Sequence, residues 1–298
     1  MRATSASLPW LSTWILLSLL ALLLGGCASN SGRALERARD FGLDSALVQG
    51  EPYRHRVFVH DPAPGRAGMQ RTLRVYLHGD GVPWLHTRSV ASDPTPSEPL
   101  VMALMRRDPE LSVLLGRPCY FGLSRDPPCE PHAWTHGRYS AVVVHSMLTA
   151  LAGLLADGLV PAPDGIEYVG YSGGGALAVL MAARTPGFAD RLPPLRRVVT
   201  LAANLDTERW TDWHGVSALS GSLNPADVLP LAEGIVAIHY AGERDRIVPP
   251  ALAWPARPGN GRGREETSGQ SPLRVLPGFD HECCWVQRWP ELLRAAPR

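Results

Sequence analysis

Lysine is absent from the 298-residue chain, so all 29 basic residues are arginine. This excludes a Schiff-base lysine, the lysine of a phosphate-binding P-loop and a serine–lysine dyad, because each needs a titratable or compact ammonium that a guanidinium cannot supply. Neither sign of charge is in excess. The 29 basic and 28 acidic residues leave a net +1, and no basic footprint points to nucleic acid. Cysteine is scarce, five in all, and no Cys-x-x-Cys pair occurs. His132 and His136 are four residues apart but lack the glutamate of a zinc-protease helix, so no metal site is expected. What the chain does have is 45% hydrophobic residues, enough for a sizeable core, and 29 Gly with 28 Pro, which imply many turns.

Arg2 precedes an apolar run from Trp14 to Leu24, broken only by Ser18 and ending in Leu24-Gly25-Gly26-Cys27. Such a run is too short to cross the ~30 Å hydrocarbon layer and has the size of a signal-peptide core. The final tetrad resembles a lipobox. That resemblance implies a signal peptide over residues 1–26 and lipid on Cys27. With Ala28 instead of aspartate next, it also implies the outer membrane of a bacterium, facing the periplasm. Residues 27–50, weakly helical over 34–41, are expected to be a tether. Export permits disulfides. Cys119 and Cys129 bracket a Pro-rich loop whose closure is worth roughly 3 kcal/mol by chain entropy, and they are the favoured pair. Cys283 and Cys284 are then either a vicinal bridge or two thiols.

From residue 51 onward the pattern alternates. Short β-branched or aromatic runs at 56–60, 73–77, 111–115, 166–170, 197–201, 235–240 and 273–276 read as strands. Helices are expected from 97, where Pro99 falls in the first turn, over 139–156 and 174–183, and from about 286 to 295. Alternation of this kind gives an α/β fold, a mostly parallel sheet with helices on both faces. Residues 203–234 lack regular period and are expected to be a cap or insertion, and 257–272 is a low-complexity loop.

Gly170-Tyr171-Ser172-Gly173-Gly174 matches G-x-S-x-G between an expected strand and an expected helix. In that setting the serine hydroxyl projects above the sheet, and the Gly173 N–H is free at a helix start. Serine needs a base and a group to orient it. Asp245, in Gly242-Glu-Arg-Asp-Arg-Ile-Val-Pro249 after a strand, is the expected acid, and Asp206 is its rival. Of ten histidines only His281 follows Asp245. Two donors are needed for an oxyanion. Gly173 N–H is one; the N–H of Asp80, in His78-Gly-Asp-Gly81, is the other, with Gly81 in reserve and the Asp80 carboxylate expected to point away. Trp210, Trp213, Tyr120 and Trp285 are candidate pocket residues.

Together these residues resemble the α/β-hydrolase superfamily from about Glu51 to the C-terminus. More narrowly, His78-Gly-Asp-Gly81, Asp93-Pro-Thr-Pro96, Leu115-Gly-Arg-Pro-Cys119, Leu223-Asn-Pro-Ala-Asp227 and Gly278-Phe-Asp-His-Glu-Cys-Cys-Trp285 resemble a group of bacterial exported hydrolases. His78 departs from the acidic residue of that group. The resemblance implies a hydrolase of carboxylic esters or related acyl groups, working without cofactor on a small-molecule or lipid ester. Acyl transfer or peptide cleavage on the same residues is the alternative, as is a non-catalytic envelope binding protein.

Overall fold

The computed structural model describes residues 29–64, 71–85, 89–255 and 273–295. The signal peptide, Cys27 and the loop over 257–272 lie outside them. Eight strands form one sheet: β1 (Asp44–Gln49), β2 (Arg54–His60), β3 (Thr72–Leu77), β4 (Ser112–Leu115), β5 (Gly165–Tyr171), β6 (Leu195–Leu201), β7 (Val236–Gly242) and β8 (Leu273–Leu276). Their order is β1-β2-β4-β3-β5-β6-β7-β8. β2 pairs antiparallel with both β1 and β4, and every other pairing is parallel. A two-stranded ribbon, Trp84–Leu85 with Ser89–Val90, stands apart from the sheet.

Side chains alternate between two cores, as the period of a strand requires. Leu73, Val75 and Leu77 face one layer with Val113, Leu115, Ile166 and Tyr168; it is covered by α3 (Ala141–Ala156) and α4 (Gly173–Arg184). Tyr76, Leu114, Val169 and Val199 face the other, which is covered by α1 (Asn30–Asp40), α2 (Leu100–Met105) and α6 (Trp285–Ala295). Burial on both faces explains why these strands read as continuous apolar runs. The remaining helix, α5 (Thr207–His214), lies between β6 and β7 within the expected insertion, from which Leu219, Leu223, Val228 and Leu231 pack on the first core.

Residues 30–49 are not a tether. Ala34 and Ala38, one helical turn apart, are buried in the second core beside Leu43, and β1 forms a hairpin with β2. The apolar stripe of α1 is made of alanine in an arginine-rich helix, so its hydropathy conceals it. Ser31 pins the helix start: its N–H and Oγ each donate to the Asp93 carboxylate at 2.9 Å, and its Oγ is 2.9 Å from the Thr95 hydroxyl.

Two further contacts set the frame of the site. Trp289 Nε1 donates to the Tyr76 hydroxyl at 2.8 Å, fixing α6 to β3. Tyr76 in turn donates to Asp108, which also pairs with Arg74. Cys119 and Cys129 are bridged, with Cα atoms 5.5 Å apart, and Cys283 is bridged to Cys284. The 119–129 loop is packed inward: Tyr120 and Phe121 are fully buried. Replacing both Cys119 and Cys129 by serine is expected to lower unfolding stability by about 3 kcal/mol, read from urea midpoints at neutral pH.

Candidate active site

Ser172 occupies the single residue between β5 and α4, with φ +53° and ψ −125°. The turn is held by its N–H donating to Leu201 O at 2.8 Å and by Gly175 N–H donating to Ser172 O at 2.9 Å. So sharp a reversal presses backbones together. A Cβ on Gly170 would stand 2.3 Å from Gly174 O, and one on Gly174 would stand 2.1 Å from Leu77 O. Both obstacles are main chain, so glycine at these positions is a steric requirement.

Asp245 follows β7, and its side chain is fully buried. Its Oδ1 accepts the N–H groups of Ile247 and Val248, both at 2.8 Å, and its Oδ2 lies 2.8 Å from His281 Nδ1. His281 Nε2 lies 3.1 Å from Ser172 Oγ. A carboxylate can only accept, so Nδ1 carries the proton and Nε2 is left to take one from the serine. The backbone carbonyl of His281 is itself gripped. It accepts from Tyr171 OH at 3.0 Å and Trp285 Nε1 at 2.9 Å. Asp206, the rival acid, is spent elsewhere: it caps α5 through Arg209 N–H at 3.2 Å and accepts from Asn224 Nδ2 at 3.2 Å.

The loop after β3 brings Asp80 beside Gly173. Among the described residues nothing accepts a hydrogen bond from either backbone N–H. The Asp80 carboxylate does not turn out to solvent, and it lies under the elbow, where a Cβ on Gly173 would meet Oδ1 at 2.0 Å. Three donors neutralise it there: Arg117 Nη1 at 2.6 Å, Arg138 Nη1 at 2.7 Å and Tyr139 OH at 2.8 Å from each oxygen. Burial alone would raise this carboxyl, but the charges of Arg138 and Arg117 outweigh it and hold the group well below the usual carboxylate range. One carboxylate and two guanidiniums leave the cluster at +1. His78 is buried, and burial, with the Arg117 charge second, pushes it down to about 3. As neutral imidazole it donates from Nδ1 to Gly79 O at 2.8 Å and accepts Arg117 N–H at Nε2, 3.2 Å away. An acidic side chain is therefore unnecessary for ordering this loop.

No protein-family model matches the sequence, and no curated protein aligns with it significantly. Solved structures do superimpose. A membrane phospholipase A described as a bacterial virulence factor shares 14% identity, covers 96% of this chain and 98% of its own, and gives a TM-score of 0.52. A putative hydrolase from Agrobacterium vitis shares 15% identity over 86% of this chain and 98% of its own, with a TM-score of 0.51. A puromycin hydrolase gives 0.52 at 14% identity, over 86% of this chain and 38% of its own. The chain has the α/β-hydrolase fold.

In this α/β-hydrolase fold the serine opens onto a cavity of about 840 Å³. One wall is Arg37 and Phe41 of the α1 region with 96–101; the other is Trp210 of α5 with Ile247 and Val248; Glu282 and Val286 close a third side. Of the aromatic candidates, Trp210 alone lines it. Trp285 and Tyr120 are buried supports, Tyr120 donating to Asp80 O at 2.8 Å, and Trp213 is exposed outside it. Sequence reading placed a weak helix over 34–41 but missed its packing into the core, and it missed the Arg117–Arg138–Tyr139 clamp. The pairing of Arg138 with Tyr139 carries no local pattern, whereas Tyr171, adjacent to the serine, could have been singled out.

Gly174→Ala is expected to abolish soluble expression or cost more than about 3 kcal/mol, since neither main-chain neighbour can move aside; a urea melt within about 1 kcal/mol of wild type would contradict it. A second expectation concerns acid. Burial pushes His55 down to about 4 and both His78 and His239 down to about 3. Each therefore takes a proton only on unfolding, so the stability it contributes is complete above about pH 6.5 and is lost as pH falls toward the folded values. Urea midpoints measured between about pH 7 and 5 should give a slope that steepens from the uptake of about one proton to that of about three. The depressed Asp80 carboxyl extends the loss below about pH 4.

Proposed function

We propose that the protein is a serine hydrolase of carboxylic esters or related acyl groups. It is held in the bacterial envelope by lipid on Cys27, at the outer membrane and facing the periplasm. The observation that carries the reading is the unbroken relay from Asp245 through His281 to Ser172 at the wall of an open cavity. Ser172 Oγ attacks the acyl carbon while His281 Nε2 takes its proton. Asp245 holds the imidazole in the tautomer that can accept and stabilises the imidazolium that results. The carbonyl oxygen becomes an oxyanion between the N–H groups of Gly173 and Asp80, and the +1 cluster beneath favours that charge. His281 then hands its proton to the departing alkoxide. In the second half a water, deprotonated by His281, attacks the acyl-serine, the Ser172 Oγ–acyl bond breaks as Oγ takes the proton back from His281, and the acid leaves. Only side chains, backbone donors and water take part.

The fold neighbours support the reading, since those reported above carry the names phospholipase and hydrolase. Peptide cleavage on the same relay is the alternative, and an ester tested beside its amide analogue separates the two.

Labelling with a fluorophosphonate probe should be rapid in wild type and absent in Ser172→Ala. Asp245→Asn should keep the fold yet lower kcat for a short-chain ester by roughly 10³–10⁴, because the neutral amide no longer enforces the tautomer. Equal labelling of wild type and Ser172→Ala would overturn the assignment and leave a binding protein.

A further inference from the structure

We propose that the cavity mouth docks on the lipid bilayer and that the esters it takes are the acyl esters of membrane lipids. This rests on the serine-hydrolase reading and on lipid at Cys27. The argument starts from chain length. One residue, Ala28, separates Cys27 from Ser29, whose side chain caps α1 by accepting Gly32 N–H at 3.0 Å. Two peptide units confine the Cys27 Cα to about 7 Å from that of Ser29. The start of α1 cannot swing away, because Ser31 is bonded to Asp93 and Thr95.

The segment that receives Ser31 belongs to the cavity. Val82 N–H donates to Pro94 O at 2.8 Å, and a Cβ on Gly81 would stand 2.1 Å from that same oxygen. Gly81, Val82, Pro96 and Ser97 all line the cavity. At the far end of α1, Arg37 and Phe41 line it too. A lipid on Cys27 would therefore be tied to a helix start that is bonded to the segment running into the cavity wall.

Segments that continue from the cavity wall carry exposed apolar side chains. Trp213 is 62% exposed, Val216 50% and Leu85 45%. Each follows a cavity wall closely in sequence, Trp213 and Val216 after Trp210, Leu85 after Val82 and Pro83. The two groups are joined through His136, whose ring is 5.8 Å from that of Trp84 and whose Nδ1 donates to Ala218 O at 3.2 Å. Large apolar side chains kept in water on segments that lead out of the cavity wall suit an interaction surface, and tryptophan favours the headgroup level of a bilayer. Lipid on Cys27, separated by one residue from the cap of α1, would make that bilayer the occupant. At that depth lie the ester carbonyls of glycerolipids. Ser172 Oγ would bond to the fatty acyl carbon as the bond between that carbon and the glycerol oxygen breaks. The lysolipid oxygen takes the proton from His281, and water then frees the fatty acid from the serine.

The test uses the full-length lipidated protein reconstituted in vesicles of phosphatidylethanolamine and phosphatidylglycerol, with Ser172→Ala as the blank. Fatty acid release from the vesicles is compared with hydrolysis of p-nitrophenyl butyrate in wild type and in the triple variant Leu85→Glu, Trp213→Glu, Val216→Glu. Lipid turnover should fall at least about tenfold in the variant while butyrate turnover stays within about twofold. Butyrate hydrolysis without lipid release in wild type, or equal lipid release by wild type and variant, overturns the docking proposal and leaves the hydrolase reading standing. Loss of both activities in wild type together with failure of fluorophosphonate labelling overturns both.

Discussion

The ion cluster around Asp80 ties together parts of the chain that no secondary structure connects. Its carboxylate comes from the loop after β3, Arg117 from the segment after β4, and Arg138 and Tyr139 from the approach to α3. It also abuts Gly173 at the elbow. Removing the carboxylate would leave two buried guanidiniums without their counter-charge, a far larger penalty than losing a surface ion pair. The arrangement suits arginine. A planar fork lets Arg117 reach Asp80 with one nitrogen and the Arg138 carbonyl with another at 3.0 Å, and the charge survives burial. In a chain without lysine, every buried cation is of this kind.

The elbow and the cluster divide the work at one point. Glycine at 170 and 174 sets where the serine can be, through contacts between main chains that tolerate no side chain. The cluster sets where the facing loop can be, through charge. Between them the N–H groups of Gly173 and Asp80 have no acceptor among the described residues, and both residues line the cavity with Ser172. His281 is located independently, by Tyr171 and Trp285 on its carbonyl and by Asp245 on its ring.

The sheet was legible because its strands are β-branched and buried on both faces, so that each of 56–60, 73–77 and 166–170 stands out from its neighbours. The serine, acid and histidine were legible because a turn motif and chain order narrow the choice: Asp206 and Asp245 both follow strands, and the capping of α5 by Asp206 is visible only in three dimensions. β1 and the packing of α1, of which only a weak helix over 34–41 was read, were not legible. Their buried residues, Ala34, Ala38 and Val48, are small or isolated among charged neighbours, and the partner that stabilises β1 lies in the next strand. The clamp on Asp80 escaped for the same reason: Arg117, Arg138 and Tyr139 look like ordinary loop residues until the loops are folded together.

The packing of α1 and β1 bears on how a shortened form of the protein can be made. Cleavage just after Cys27 would leave the fold whole. Cutting at Gly50, where a tether would have ended, would strip the outer strand from β2, bare the apolar surface around Phe58 and remove one wall of the cavity. An unpaired strand edge beside exposed aromatic surface invites self-association. A shortened protein would then appear aggregated and inactive for reasons unrelated to its chemistry.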